Sequence, residues 1–299
     1  MKQLSGLLLL LILACGLGAC EKEVNITLPA SDPALVVNGF IEKDGPPILF
    51  LTHTIGFFST VDLATLENSF VHGATVSVTD GSTVHNLREY SFDSAGHHLY
   101  VYTVDSADPT GFLFRGQTEH TYKLSITANG KTYESTTKIP SAQPLDSLSS
   151  GPPVIKRDKA PTALQLFGYY SDPDTPGNNV RYFTKRNRGA FYPGLNSVVD
   201  DGVINGSKNF RFPIALGDDR QGTTERTDSS GFVFPGDTIV LKWCAIDRGV
   251  YNFYNTLEYS LGTVGNPFSS PINVKSNVSN GALGVWAGYG VTYDTLFVK

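Results

Sequence analysis

Short runs of alternating polar and apolar residues, separated by turn residues, constrain the fold of this chain most strongly. Between residues 34 and 139 about seven such runs follow one another, with no long helical pattern between them. Asn129-Gly130 separates two of the runs, 122–126 and 132–136, and both residues tolerate the positive φ angles of a type I′ turn. A period of two places alternate side chains on opposite faces of a strand. This part of the chain is therefore predicted to be a β-sandwich.

The spacing of the strands favours a sandwich of immunoglobulin or transthyretin type over residues 34–145. Residues 34–41 and 48–52 are predicted to form its opening hairpin, and residues 61–68 a helical turn. The proline-rich stretch 140–163 is typical of an interdomain linker or an edge segment, and the boundary is placed near Asp146.

The second half, 146–299, is predicted to be another β-rich domain with one short helix. Its predicted strands are 163–170, 181–184, 210–214, 238–246, 283–290 and 291–298. A helix is expected over 248–261, with Asp247 as its N-cap and Gly262 as a left-handed terminating residue. The predicted fold class is mainly β.

Composition agrees with a folded β protein and excludes a generally basic surface. The 299 residues include 14 Tyr, 18 Phe and 2 Trp, and only 17% are charged. Lys and Arg number 23 against 28 Asp and Glu, so the net charge is −5. A chain of this charge is not expected to bind nucleic acid.

The first residues have the pattern of an export signal. A basic start at Lys2 precedes the apolar run 7–13, and small residues lead to Cys20. We expect residues 1–19 to be a lipoprotein signal peptide, Cys20 to carry the acyl chains and residues 20–33 to form a tether to the membrane. Cys15 is a weaker acceptor because it belongs to the apolar core of the signal, whereas the charged residues 21–23 follow Cys20 directly. An ordinary secretory signal with a chance cysteine is the alternative.

Catalytic and metal sites are weakly supported by the residue pattern. Cys244 lies in a strand-like run, and no histidine follows His120, so a buried apolar thiol is expected rather than a nucleophile. The six histidines all lie in the first half, but their spacing does not predict a metal site. They are His53, His72, His85, His97, His98 and His120.

Acidic residues of the second half allow two further interpretations. Residues 172–179 lack the ligand pattern of a calcium-binding EF-hand and favour a turn that Asp and Asn cap. A carboxylate pair for glycoside hydrolysis is an alternative that spacing cannot test. Its candidates are Asp218, Asp219, Glu225 and Asp228.

Aromatic residues are the strongest indication of binding. Many of them lie around the basic residues 185–188 and are expected to fill the sheet core. A few are predicted to line a surface for a partner or a ligand. These are Tyr169, Tyr170, Tyr192 and Phe268.

The order of several short motifs resembles the DUF4249 lipoproteins of Bacteroidetes. The motifs are Leu35-Val36-Val37-Asn38-Gly39, Val71-His72-Gly73-Ala74-Thr75-Val76, Pro235-Gly236-Asp237-Thr238, Tyr251-Asn252-Phe253-Tyr254, Gly265-Asn266-Pro267-Phe268 and Asn280-Gly281-Ala282-Leu283-Gly284-Val285-Trp286. The resemblance implies an exported lipoprotein of undefined activity that accompanies a TonB-dependent outer-membrane receptor. It implies no catalytic residue and no cofactor.

Two functions from different classes remain open. The first is a non-enzymatic binding or accessory lipoprotein on the outer membrane, and the acidic Glu21 and Glu23 favour the cell-surface face. The second is a glycosidase-like hydrolase whose carboxylates converge only in three dimensions. A structural envelope protein is a third possibility.

Overall fold

The computed structural model of the chain describes residues 33–55, 62–154, 161–217, 231–264, 266, 268–270 and 272–299. Their strands are β1 (Leu35–Glu42), β2 (Pro47–His53), β3 (Thr75–Thr79), β4 (Val84–Ser94), β5 (His97–Val104), β6 (Thr121–Ala128), β7 (Lys131–Lys138), β8 (Ser147–Gly151), β9 (Gln165–Tyr170), β10 (Asn179–Arg186), β11 (Tyr192–Asp200), β12 (Phe210–Ile214), β13 (Thr238–Ile246) and β14 (Leu283–Phe297). Their helices are α1 (Leu63–Ser69), α2 (Pro109–Phe112) and α3 (Arg248–Gly262).

The strands form one large mixed sheet and one small sheet. Eleven strands follow the order β11-β10-β13-β14-β1-β2-β5-β4-β3-β6-β7, and the second sheet has the order β12-β9-β8. Strands β1 and β14 pair in parallel, whereas the other pairs of named strands in the described ranges are antiparallel. The predicted mainly β fold class is confirmed.

The first half contains the seven strands β1–β7, in agreement with the predicted number. The opening hairpin pairs β1 with β2, and the second hairpin pairs β6 with β7. Between β6 and β7, Asn129 and Gly130 have φ angles of 50° and 71°, as the type I′ turn requires. The inward side chains of these strands share one hydrophobic cluster, which Trp286 of β14 completes.

Strand β14 corrects the prediction of two closing strands. Residues 283–289 pair with β1 and residues 290–297 pair with β13, so one continuous strand serves two neighbours. Its glycines permit close backbone contact rather than marking a turn. A Cβ atom at Gly284 would lie 1.8 Å from the Val37 carbonyl oxygen, and one at Gly290 would lie 1.9 Å from that of Pro140.

The stretch 140–163, predicted to be a linker or an edge segment, contains strand β8. Strand β8 lies at the edge of the small sheet and pairs with β9. Prolines are tolerated beside an edge strand because one side of it needs no hydrogen-bonding partner. The domain boundary near Asp146 stays a prediction, although β1 and β14 pair across it and Ser135 Oγ donates to the Asn277 carbonyl oxygen at 2.8 Å.

Helix α3 confirms the predicted helix and its N-cap, since Asp247 Oδ1 accepts from the Val250 amide at 2.9 Å. The predicted left-handed Gly262 is wrong. Gly262 is the last helical residue, and Thr263 follows with φ −106° and an amide that donates to the Ser260 and Tyr259 carbonyls. Because Thr263 caps the helix in an ordinary conformation, a left-handed residue is not needed.

Helix α1 covers most of the predicted helical turn 61–68, and residue 61 lies outside the described residues. Asp62 Oδ1 accepts from the Thr65 amide at 2.7 Å and so caps this helix. Within the described ranges, no helix combines the length and the apolar character that a bilayer crossing requires.

Candidate functional site: a cavity beneath helix α3

A cavity of about 460 Å³ lies between α3 and the neighbouring strands β10, β13, β14 and β1. Arg181 and Phe183 are two residues apart on β10 and therefore share the face that borders it. Phe40, Lys242, Tyr254 and Tyr289 also line it. The volume falls in the range of about 300–1,000 Å³ that small-molecule sites occupy, and aromatic walls with few polar groups are typical of them.

Arg181 is the buried cation of this cavity, with only 8% of its surface exposed. Its Nη1 donates to Tyr289 Oη at 2.9 Å, and its Nε donates to Ser197 Oγ at 3.3 Å. The guanidinium carbon lies 3.3 Å from the centre of the Tyr254 ring and 4.7 Å from that of Phe183. Hydrogen bonds and cation–π contacts thus hold the guanidinium plane in one orientation.

Glu258 of α3 supplies the negative charge that faces this cation. Its carboxylate accepts from the Ser197 amide at 2.7 Å and from the Ser197 hydroxyl. Burial opposes the charge of Arg181, but Tyr254, Tyr289 and Glu258 together raise its pKa above the ordinary value. Ser197 therefore links the two buried charges, and each has polar partners, which a buried charge requires.

The phenol groups extend the same network. Tyr289 Oη donates to Tyr254 Oη at 3.1 Å, which joins strand β14 to helix α3. Burial raises the pKa of Tyr289 well above its usual range, so its hydroxyl stays protonated at neutral pH.

A second charge pair lies at the cavity wall. Lys242 Nζ donates to Glu42 Oε1, and their side chains are 12% and 23% exposed. Lys242 Nζ also lies 5.4 Å from the centre of the Phe183 ring. The two cations that line the cavity therefore each have a carboxylate close by.

Cys244 lies two residues after Lys242, on the same face of β13, and is fully buried. Burial raises the pKa of its thiol to about 12, so the group is protonated at neutral pH. The predicted buried apolar thiol is confirmed.

The structure does not gather the four predicted aromatic surface residues into one site. Tyr169 is half-buried on β9, and the next residue, Tyr170, is buried and lines another cavity of about 420 Å³. Tyr192 of β11 lines a third cavity of about 230 Å³. Phe268, which follows α3, is 96% exposed. The role of these residues in binding stays a prediction.

The cavity beside Tyr170 contains an unpaired donor. Trp243 lines it, and its Nε1 has no hydrogen-bond partner among the described residues. The Trp243 ring lies 5.5 Å from the Tyr170 ring, measured between centroids. This cavity combines two aromatic rings with amide side chains, among them Asn178 and Gln143.

Four histidines pair with one carboxylate each. The Nδ1 to carboxylate distances are 2.5 Å for His72 with Glu89 and 2.9 Å for His97 with Glu67. The other two pairs are His85 with Asp80 and His98 with Asp93. In the part of the chain that the structure describes, no three His, Cys, Asp or Glu side chains come together as a metal-binding group.

The segment 172–179 is a turn between β9 and β10, as predicted. Asn179 Nδ2 donates to the Gly177 carbonyl at 2.9 Å, and Asp201 accepts from the Gly177 and Asn178 amides. The four acids of the glycosidase hypothesis lie outside the described residues.

Sequence reasoning missed Arg181, Glu258 and Tyr289 as a group. Glu258 follows Leu257 on the helix and is itself buried, although acids normally lie on the solvated face of such a helix. A charged residue on the buried face of an amphipathic helix was therefore the available signal. Its partner cannot be read from spacing, because Ser197 lies 61 residues before Glu258.

The chain also matches a known protein family. The family model "Domain of unknown function (DUF4249)" matches residues 21–295. No curated protein sequence matches the chain. Since the match covers most of the chain, including all the residues named around the cavity, the protein belongs to the DUF4249 family.

Proposed function

We propose that this protein is a lipid-anchored, non-enzymatic binding component of the outer membrane that works beside a TonB-dependent transporter in nutrient uptake. The cavity beneath α3 is the observation that carries the proposal. Its volume of about 460 Å³ and its aromatic walls suit capture of a small molecule.

Membrane attachment is supported by the sequence. An export signal over residues 1–19 leads to Cys20, and acyl chains on that cysteine would tether the body to a Bacteroidetes outer membrane. The acidic residues directly after Cys20 favour the cell-surface face. A tethered binding protein at that surface raises the ligand concentration close to a neighbouring transporter.

A binding role fits the state of the reactive groups around the cavity. The thiol of Cys244 is protonated, and Glu258 is occupied by the Ser197 amide and hydroxyl. Neither side chain is among those that line the cavity, so neither is placed to exchange a proton with a ligand there. We therefore favour binding over catalysis.

The test is recovery of partners from outer membranes. The tagged, acylated chain is extracted in mild detergent, and the proteins that co-purify are identified by mass spectrometry. We expect a TonB-dependent receptor in stoichiometric amount with the unaltered chain. The Cys20→Ser variant keeps the cavity but lacks the anchor, and it should lose both membrane attachment and the receptor. Absence of any receptor from the unaltered, membrane-bound chain would overturn the accessory role.

A further inference from the structure

We propose that the cavity beneath α3 binds an uncharged aromatic molecule whose carbonyl or hydroxyl oxygen accepts a hydrogen bond from Arg181 Nη2. The inference rests on the binding function proposed above and names the chemical class of the ligand. It combines the aromatic walls, the unused donor and the balanced charge of the cavity.

The aromatic walls select a flat ring. The Phe183 and Tyr289 rings meet edge to face at 89°, with their centroids 6.1 Å apart. The Phe40 ring lies 6.1 Å from the Tyr289 ring, measured between centroids, at an angle of 49°. Rings at these separations offer both faces and edges to another aromatic group, and such contacts add to the hydrophobic gain of burial.

Arg181 supplies the specific polar contact. A guanidinium has five N–H groups. Within the described residues, Nε donates to Ser197 and Nη1 donates to Tyr289, whereas Nη2 has no hydrogen-bond partner. Arg181 lines the cavity and is more than nine-tenths buried. Nη2 is not one of the fully buried polar atoms that lack a partner, so it keeps some accessible surface, and a ligand oxygen placed there would gain a charge-assisted hydrogen bond.

The charges around the cavity favour an uncharged ligand. Glu258 lies close enough to act on the charge of Arg181, and Glu42 accepts from Lys242. An anion in this cavity would meet, among the described residues that line it, no cation without a carboxylate close by. A cationic ligand is also disfavoured, because the Glu258 and Glu42 carboxylates already accept hydrogen bonds from protein groups. A neutral oxygen avoids both costs.

Three matched probes test the proposal. They are 2-acetylnaphthalene, which is neutral with an acceptor oxygen, 2-naphthoate, which is anionic, and 2-ethylnaphthalene, which has no acceptor. Each is titrated by calorimetry into the full chain in lipid nanodiscs, with empty nanodiscs subtracted. We expect 2-acetylnaphthalene to bind at least roughly tenfold more tightly than either analogue, as expected for one hydrogen bond to a charged donor.

A cavity-filling variant locates the binding. Val36 is half-buried at the cavity wall, so Val36→Trp should abolish binding of 2-acetylnaphthalene. Val84→Trp is the matched control, since Val84 is a strand valine that is 58% exposed and does not line the cavity. Arg181→Lys keeps the charge but removes Nη2, and it should bring the affinity for 2-acetylnaphthalene down to that of 2-ethylnaphthalene. Thermal unfolding of each variant shows that it is folded.

Each contrary outcome overturns a stated part of the proposal. Tighter binding of 2-naphthoate would overturn the preference for a neutral ligand, and equal binding of 2-ethylnaphthalene would overturn the role of Arg181. Equal loss of binding in both tryptophan variants, or no binding of any probe, would overturn the site. If the receptor still co-purifies in those cases, the accessory function stands and only the ligand class fails.

Discussion

The two faces of strand β14 differ in packing: one lies in a close-packed core and the other borders a cavity. On one face, Trp286 is completely buried in the core of the first half, and its Nε1 donates to the Tyr122 carbonyl oxygen at 3.1 Å. On the other face, Tyr289 is almost as deeply buried but belongs to the Arg181 network and borders a cavity of about 460 Å³.

This difference separates stability from binding. A close-packed apolar core gains free energy from contacts on all sides, so any space in it is costly. Charges and an open cavity contribute little net stability, because desolvation offsets most of the attraction between buried charges. The Tyr289 face is therefore the better candidate for a binding site, and the Trp286 face is part of the hydrophobic core.

Truncation on the core face should have the largest effect. Trp286→Ala removes a fully buried ring and leaves the Tyr122 carbonyl oxygen without its donor. We expect the free energy of unfolding to fall by about 4 kcal/mol. Chemical denaturation monitored by far-UV circular dichroism measures this loss. Loss of less than about 1 kcal/mol would contradict the assignment of Trp286 to a packed core.

Removal of the buried carboxylate should have the next largest effect. Glu258→Gln keeps the size of the side chain but leaves the charge of Arg181 without its nearby anion. We expect a loss of about 2 kcal/mol in the free energy of unfolding. The exposed Glu134→Gln, whose parent carboxylate forms a surface pair with Lys123, is the matched control and should change stability by less than about 0.5 kcal/mol. Equal effects of the two variants would remove the distinction between the network and the surface.

Loss of a single hydroxyl in the network should cost less. Tyr289→Phe removes the acceptor for Arg181 and the donor to Tyr254 without changing the ring. We expect the free energy of unfolding to fall by about 1 kcal/mol. Tyr133→Phe is the control, because the Tyr133 ring is buried and its hydroxyl has no hydrogen-bond partner among the described residues. An equal fall in the free energy of unfolding of the control would show that the hydrogen bonds of the Tyr289 hydroxyl add no stability.

The smallest effect is expected at Asp294, further along β14. Its Oδ2 is buried without a hydrogen-bond partner in the described part of the chain, and burial raises the pKa of this carboxyl. The folded state therefore binds the proton more tightly than the unfolded state, so stability falls as the pH rises above the unfolded pKa. Asp294→Asn removes this penalty and should stabilise the protein by about 0.5 kcal/mol at pH 7.

The pH dependence of that variant distinguishes titration from packing. The gain from Asp294→Asn should vanish near pH 3, where Asp294 is protonated in both the folded and the unfolded state. Thermal unfolding of the two proteins at pH 3, 5 and 7 measures the difference. A gain that is the same at all three pH values would exclude ionisation of Asp294 as its cause.

Local patterns predicted most strands and the long helix because each depends on neighbouring residues. The Asn129-Gly130 hairpin and the Asp247 cap follow from the turn and capping preferences of those side chains. Errors arose where distant contacts decide the structure. Closely spaced glycines such as Gly288 and Gly290 are typical of turns. Both nevertheless lie inside β14, where they allow another backbone segment to pass close to the strand.

The candidate site was not predictable for the same reason. Arg181 and Tyr289 are 108 residues apart, and nothing in their local sequence indicates that they bond. Glu258 was visible as a charge on the apolar side of α3, but its contact with Ser197 depends on how the helix packs on β11. Tyr169, Tyr170, Tyr192 and Phe268 share an aromatic character and still lie in different surroundings.

The sequence alone determined the β-rich class, the turns, helix α3 and the resemblance to the DUF4249 family. These depend on period, side-chain propensity and short motifs, which act over a few residues. The tertiary structure decided that β14 would join β1 to β13 and that Arg181 and Tyr289 would border a cavity. Such contacts join residues far apart in the chain, and only the packing of whole elements brings them together.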